Sequence, residues 1–275
     1  MKAEDKKLTM AVIIVGILVI GGYGALVATT GFYSPFSMVM SESMQHDDTR
    51  SSIGCIDTGD AVIIASPEKV EIQSYVEGTQ TGFKSFDDYG SVIIYEHWSN
   101  NNPVIHRAIV WLDYDSITGR WSAPSLAGYE GKWSCEGNDY MNLRGNLTFY
   151  DITQSEKTVS FNLDDFGSKK SGYLTMGDNP VTNPRFDQSS FIGSGSYLVS
   201  DDKIKSVAIH EIPWISTLKI LLKNNGDNLD KVPNSLPSLI MSLALLAAAF
   251  LIIDFLSLRK ENREIDKEMK KMGKL

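Results

Sequence analysis

The chain has 275 residues, 43% of them hydrophobic, and a formal net charge of −8 at pH 7. An acidic protein of this kind repels the phosphate backbone, which excludes nucleic acid as a partner. Its two cysteines form no Cys-x-x-Cys pair and its four histidines are scattered, so the spacing predicts no metal and no other cofactor.

The first predicted element is an apolar run without charged side chains from Leu8 to Phe32. It is long enough to cross ~30 Å of hydrocarbon at ~1.5 Å per helical residue. It is also longer than the ~7 to 15 apolar residues of a cleavable signal peptide. We therefore predict a cytoplasmic N-terminus at 1–7 and a transmembrane helix at 8–30.

A second uncharged stretch begins at Val232 and predicts a second transmembrane helix at 232–256, followed by a basic cytoplasmic tail at 257–275. Lysines precede the first helix and seven Lys and Arg residues follow the second, so both ends are expected in the cytoplasm. The segment 31–231 then faces outward. Residues 31–234 hold 16 Lys and Arg against 27 Asp and Glu, a net charge of −11.

The outward segment shows short runs rich in Val, Ile, Thr and aromatic residues, which predict a mainly β domain. The predicted strands are AVIIAS (61–66), SVIIYEHW (91–98), PVIHRAIVWL (103–112), TVSFNL (158–163) and GYLTM (172–176). The stretch at about 113–165 is rich in Gly, Ser, Asp, Asn and Trp, and predicts a loop-rich insertion.

Two modifications remain open on the outward side. Cys55 and Cys135 either form a disulfide in an oxidising exterior or leave Cys55 as a buried free thiol. Asn146 begins an Asn-Leu-Thr glycosylation sequon.

Three short motifs suggest chemistry only when they are taken together. Ser43 lies in the sequence SESM (41–44) shortly after the first helix, and His106 interrupts an apolar strand. Asp178 lies in a Gly-Asp-Asn turn, with Asp187 nine residues further on. Alone, each is ordinary, because turn serines and aspartates usually bond their own backbone.

In chain order, SESM (41–44), TGDAVII (58–64), IHRAI (105–109) and MGDNP (176–180) resemble the motifs of type I signal peptidases. Bacterial members carry a lysine base where this strand has His106, so the chain resembles the archaeal and endoplasmic-reticulum branch. The resemblance implies a signal-peptidase-type β domain between the two helices.

The resemblance further implies a membrane-bound serine endopeptidase that removes signal peptides on the non-cytoplasmic side of the membrane. Ser43 would be the nucleophile and His106 the general base and acid. Asp178 or Asp187 would orient the imidazole, with Asp178 the preferred candidate, and Ser41 would assist the oxyanion. The expected partners are signal-peptide-bearing precursors and the lipid bilayer; additional subunits are left open.

Two other functions remain. The chain could be a non-catalytic, membrane-tethered β domain for adhesion or assembly, in which these residues only form turns and core. It could also be a relative of signal peptidase with a narrower set of precursors. Near the nucleophile, the apolar residues 38–40 either line substrate pockets or form a core strand, and the Trp-containing segment 211–222 suggests an interfacial element.

Overall fold

The protein is described by a computed structural model that covers residues 3–47, 49–97, 102–153, 156–189, 197–223, 229–232 and 234–273. Antiparallel sheets lie between two long apolar helices, one at each end of the chain. The helices are α1 (Ala3–Thr30), α2 (Tyr75–Thr81), α3 (Thr217–Lys223) and α4 (Ser235–Lys271). The chain as a whole is therefore mixed rather than mainly β, because its two terminal helices are so long.

Helix α1 contains the first predicted transmembrane segment, and α4 begins three residues after the start of the second. Each is long and apolar enough to cross a membrane, and neither buries its apolar stretch against the rest of the protein. Uninterrupted apolar surface on all sides suits lipid rather than water, which supports membrane anchoring. Helix α4 continues to Lys271, well beyond the predicted end at 256, because the charged tail also adopts helical structure.

All five predicted strands are present, although Trp98, at the end of the second, lies outside the described residues. The strands are β1 (Phe36–Met38), β2 (Ala61–Ala65), β3 (Lys84–Ser85), β4 (Asp88–Tyr89), β5 (Val92–Glu96), β6 (Pro103–Asp115), β7 (Arg120–Ser122), β8 (Trp133–Ser134), β9 (Asn146–Ile152), β10 (Lys157–Asn162), β11 (Gly172–Met176) and β12 (Ile204–Ile212).

The main sheet has the strand order β1-β2-β12-β5-β6-β11, and β7 extends it by pairing with β6. Every pair is antiparallel. Both faces of its centre are buried, as β5 illustrates: Val92 and Ile94 join one apolar cluster, whereas Ile93 and Tyr95 join another. Successive side chains of one strand thus enter different environments.

The segment 113–165 is more ordered than its loop-rich sequence predicted. It contains a three-stranded sheet in the order β10-β9-β8. Aromatic and aliphatic side chains from this sheet, including Phe149 and Phe161, pack with Ile109 and Leu174 of the main sheet in one core. Large buried side chains spaced among polar residues thus stabilise a small subdomain, because they bury enough apolar area to offset the ordering of its loops.

The structure contains Cys55 and Cys135 as free thiols, with Cys55 buried. The disulfide alternative is therefore not realised, and the buried-thiol alternative is. Asn146 is exposed at the start of β9. Its glycosylation stays a prediction.

Candidate active site

Ser43 lies in a short turn after β1 and is partly exposed. The next residue, Met44, is only 1% exposed and packs with Val39 and Ile56 in an apolar cluster. The methionine thus anchors the turn in the core and leaves the serine accessible. Ser41 Oγ lies 3.4 Å from Ser43 Oγ, which places the predicted auxiliary hydroxyl beside the predicted nucleophile.

The turn that carries Ser43 is fastened to the end of β11. The Asn179 backbone N–H donates to the Ser43 carbonyl at 3.0 Å, and the Asn179 side-chain amide donates to the Glu42 carbonyl at 2.8 Å. Gly177 permits this approach, because a Cβ there would come closer than 3.0 Å to the Ser43 carbonyl oxygen. The Gly-Asp-Asn motif therefore positions the serine turn through its glycine and asparagine.

His106 lies on β6, directly across from Ile93 of β5, and is almost completely buried. Its Nδ1 is 2.8 Å from Asp187 Oδ2. The Asp187 carboxylate therefore fixes the orientation of the ring and favours the tautomer that carries its proton on Nδ1. In that tautomer, Nε2 is a proton acceptor.

Two further side chains hold Asp187 in place. The hydroxyls of Tyr95 and Thr175 each donate to Asp187 Oδ2 at 2.6 Å. Burial, reinforced by the Asp187 charge, raises the pKa of Tyr95 well above its usual range, so the phenol remains a neutral donor. The sequence pattern predicts no role for either residue, although hydroxyls in fully buried strands require partners.

The preference for Asp178 as the partner of His106 was wrong. Asp178 instead pairs with Arg107, which donates from Nε to Asp178 Oδ1 at 2.8 Å and is fully buried. Burial alone would raise the pKa of Asp178, but the Arg107 charge and a hydrogen bond from His46 outweigh it and hold the pKa at about 2. Asp178 is therefore a buried, charged structural residue.

The pleat of the strands explains this division. His106 and Arg107 are consecutive on β6, so their side chains point to opposite faces of the sheet. Arg107 pairs across the sheet with Met176, two residues before Asp178, which brings Asp178 to the Arg107 face. Asp187 reaches the other face from a short helical turn, where its neighbour Gln188 bonds to Thr175.

A cavity of about 410 Å³ lies beside this pair and is lined by His106, Asp187, Tyr95 and residues 182–186. Within the described part of the chain, no hydrogen bond joins Ser43 Oγ to the His106 ring. The structure thus fastens the serine turn to β11, the neighbour of the histidine strand, without a direct bond between the two side chains.

A second network fastens the serine turn to the start of α4. Glu42 forms an ion pair with Lys231 at 3.0 Å. The Ser51 backbone N–H donates to the Asn234 side chain at 2.8 Å, and Asn234 returns a bond to the Ser51 carbonyl at 3.1 Å. The predicted nucleophile therefore lies close to the beginning of a helix that is apolar enough to enter a membrane.

The Gly-Asp motif at 58–64 joins the same network. Asp60 accepts hydrogen bonds at 2.7 Å from the backbone N–H groups of Asp57 and Trp214. Burial raises the pKa of Asp60 to about 7. The motif therefore links the strand after the serine turn to the segment that leads into α3 and α4.

Beside the Asp178–Arg107 pair, ligand-type side chains of His46, Cys55 and Asp87 lie close together, with donor atoms within 4.8 Å of one another. The sequence spacing predicts no such cluster.

We find no protein-family model that matches this sequence, and no curated protein matches it significantly.

Proposed function

We propose that this protein is a membrane-anchored serine endopeptidase of the signal-peptidase type, with Ser43 as nucleophile and His106 as general base. The observation that carries the proposal is the contact of 2.8 Å between His106 Nδ1 and Asp187 Oδ2. His106 lies on β6, and the neighbouring strand β11 leads into Asn179, which bonds the serine turn. A partly exposed serine and an imidazole that a carboxylate orients are the two groups that acyl transfer of this kind requires.

In the proposed reaction, His106 Nε2 accepts the Ser43 hydroxyl proton while Ser43 Oγ attacks the scissile carbonyl. Asp187 stabilises the imidazolium that forms, and the ring then gives the proton to the leaving amine. The Ser43 backbone N–H and the Ser41 hydroxyl are the candidate oxyanion donors, and one such donor typically lowers the barrier by about 3 kcal/mol. Water then releases the acyl group.

Closeness to the membrane supports a signal-peptide substrate. Glu42 and Ser51, on either side of the nucleophile in sequence, contact Lys231 and Asn234 at the start of α4. Several large apolar side chains of the outward segment are exposed, among them Tyr33, Ile53, Ile215, Leu218 and Leu222. Such side chains suit the headgroup boundary, where a signal peptide leaves the bilayer in an extended form.

Strand β1 supports recognition of an extended peptide. It pairs with β2 on one side, and in the described residues no strand pairs with its other side. Phe36 and Met38 are about half exposed, whereas Val39 is buried. An extended substrate added to this edge would run towards Ser43 and meet shallow apolar contacts that favour small side chains.

The test is cleavage of a synthetic precursor with Ala at the first and third positions before the cut, by the full chain in detergent or liposomes. We expect cleavage after the second Ala, with nearly complete loss in Ser43→Ala and His106→Ala. Matched controls are Ser52→Ala and His210→Ala, because both side chains are exposed and lie outside the candidate site. These controls should cut like the wild type.

If Ser43→Ala cuts as well as the wild type, the catalytic assignment is wrong. If the wild type cuts no precursor even with membrane extract added to supply partner subunits, the tethered adhesion or assembly domain becomes the better account. Cleavage of a single precursor among many would indicate a protease with narrower clientele.

A further inference from the structure

His46, Cys55 and Asp87 form a cluster that the proposed proteolysis does not use. One donor atom from each residue lies within 4.8 Å of the others. Cys55 Sγ is 3.3 Å from His46 Nδ1. The three residues lie in separate segments, since His46 follows the serine turn, Cys55 precedes β2, and Asp87 occupies the turn between β3 and β4.

The donor types and their spacing suit a zinc-class cation. Imidazole nitrogen, thiolate sulfur and carboxylate oxygen are its usual protein ligands. Tetrahedral bonds of ~2.05 Å to nitrogen and ~2.3 Å to sulfur place the two donors about 3.6 Å apart, close to the 3.3 Å between His46 Nδ1 and Cys55 Sγ. Mg²⁺ and Ca²⁺ prefer sites built only from oxygen donors.

A second observation supports a metal ligand at His46. Its other ring nitrogen, Nε2, lies 3.3 Å from Asp178 Oδ2, and Asp178 is itself held by the fully buried Arg107. A histidine that binds a metal commonly bonds a carboxylate through its second nitrogen, which fixes the ring and directs the first nitrogen at the metal. The Asp178–His46 contact has this arrangement and aims Nδ1 at Cys55.

The surroundings provide access for a cation. Cys55 is 7% exposed and lies at the inner side of the cluster, whereas Asp87 is exposed. Asp87 lies in the turn between the two short strands β3 and β4, where it is exposed to solvent. A cation can therefore reach the site from solvent along Asp87.

We propose that His46 Nδ1, Cys55 Sγ and the Asp87 carboxylate bind one zinc-class divalent cation, with Asp178 orienting His46. Binding displaces the protons of the Cys55 thiol and of His46 Nδ1 to solvent, and leaves a fourth position for water. The cation ties the turn that carries Ser43 to the β3–β4 hairpin. The site does not depend on the proposed proteolytic function, since binding requires none of its chemistry.

The test is titration of the metal-free full chain in detergent with Zn²⁺ against a chromophoric chelator, and with Co²⁺ to observe a thiolate-to-cobalt charge-transfer band. We expect one equivalent of Zn²⁺ to bind, a cobalt–thiolate band, and little effect of Mg²⁺ or Ca²⁺. Cys55→Ala should abolish the band and weaken Zn²⁺ binding by about 100-fold or more. Cys135→Ala is the matched control, because it removes the other free thiol, and it should change neither.

Asp87→Asn serves as a second variant that leaves the core intact because the side chain is exposed. It should weaken Zn²⁺ binding by about 10-fold or more, and this result stands even if Cys55→Ala does not fold. The proposal is overturned if the wild type binds no Zn²⁺, if Cys55→Ala folds and keeps the band, or if Asp87→Asn binds as tightly as the wild type.

Discussion

Replacement of Asp178 by asparagine should mainly lower stability, whereas replacement of Asp187 by asparagine should mainly lower activity. Asp178 faces Arg107, which is fully buried and donates to both of its carboxylate oxygens. Asparagine leaves that guanidinium charge uncompensated, which costs about 3–5 kcal/mol. A domain with a typical stability of about 5–15 kcal/mol would lose a large part of it.

Asp187 instead orients His106 while accepting bonds from Tyr95 and Thr175. Asparagine keeps the shape of the carboxylate but favours the wrong imidazole tautomer and cannot stabilise the imidazolium. We therefore expect Asp187→Asn to lower kcat by about 10³–10⁴-fold, with a loss of unfolding free energy of only about 1–2 kcal/mol.

The assay combines urea unfolding of the full chain in detergent with precursor cleavage under conditions where each variant is folded. Cleavage by Asp178→Asn, corrected for its folded fraction, should remain within about 10-fold of the wild type. The reasoning is refuted if Asp187→Asn retains wild-type kcat, or if Asp178→Asn is as stable as the wild type and loses more activity than Asp187→Asn.

Four further variants test how the site and the fold around it are held. Gly177→Ala should displace the Ser43 turn and so lower kcat by about 10-fold or more. In Gly172→Ala, the added Cβ would meet the Val199 backbone at 2.8 Å, so this variant should destabilise the fold and leave kcat unchanged. Equal effects of the two variants on kcat would contradict this expectation. Burial raises the pKa of Asp60 to about 7, above its unfolded value of about 4, so its contribution to stability is full below about pH 4 and falls by about 4 kcal/mol as the pH rises to 7. In urea unfolding across that range, Asp60→Asn should remove this fall, and an unaltered slope would refute the assignment. Asn234→Ala removes two hydrogen bonds to Ser51, in the loop after Ser43, and should lower the unfolding free energy by about 2 kcal/mol. An unshifted urea midpoint would contradict this value.

The elements with strong local patterns follow from sequence. Uncharged apolar runs at 8–32 and 232–253 predict α1 and α4, because no soluble loop of that length is so apolar. Runs of β-branched and aromatic residues predict β5, β6 and β11, since such side chains suit a pleated surface buried on both faces.

Contacts between distant segments do not follow from sequence. The choice between Asp178 and Asp187 depends on strand register, on a bulge between Leu174 and Thr175, and on the pleat that separates His106 from Arg107. A shift of one residue would exchange the two faces. The resemblance therefore favours Asp178, the aspartate of the Gly-Asp-Asn motif, although the fold brings Asp187 to His106.

No sequence pattern predicts the cluster of His46, Cys55 and Asp87, for the same reason. Zinc motifs are found by short spacings such as Cys-x-x-Cys, whereas these three residues come from three segments brought together by the β3–β4 hairpin and the serine turn. Of the small sheet at 113–165, the sequence predicts only β10, whereas β8 and β9 are missed because residues typical of loops, such as Gly, Asn and Asp, lie next to them.

The central claim is that Ser43 and His106 act together as one catalytic unit. Its most direct test is the precursor-cleavage rate of Ser43→Ala, His106→Ala and the double variant, with folding verified for each. We predict that each single variant loses about 10⁴-fold or more in kcat and that the double variant loses no more than either one, because residues that act as a unit are strongly non-additive. Wild-type cleavage by Ser43→Ala, or losses that multiply in the double variant, would contradict the account.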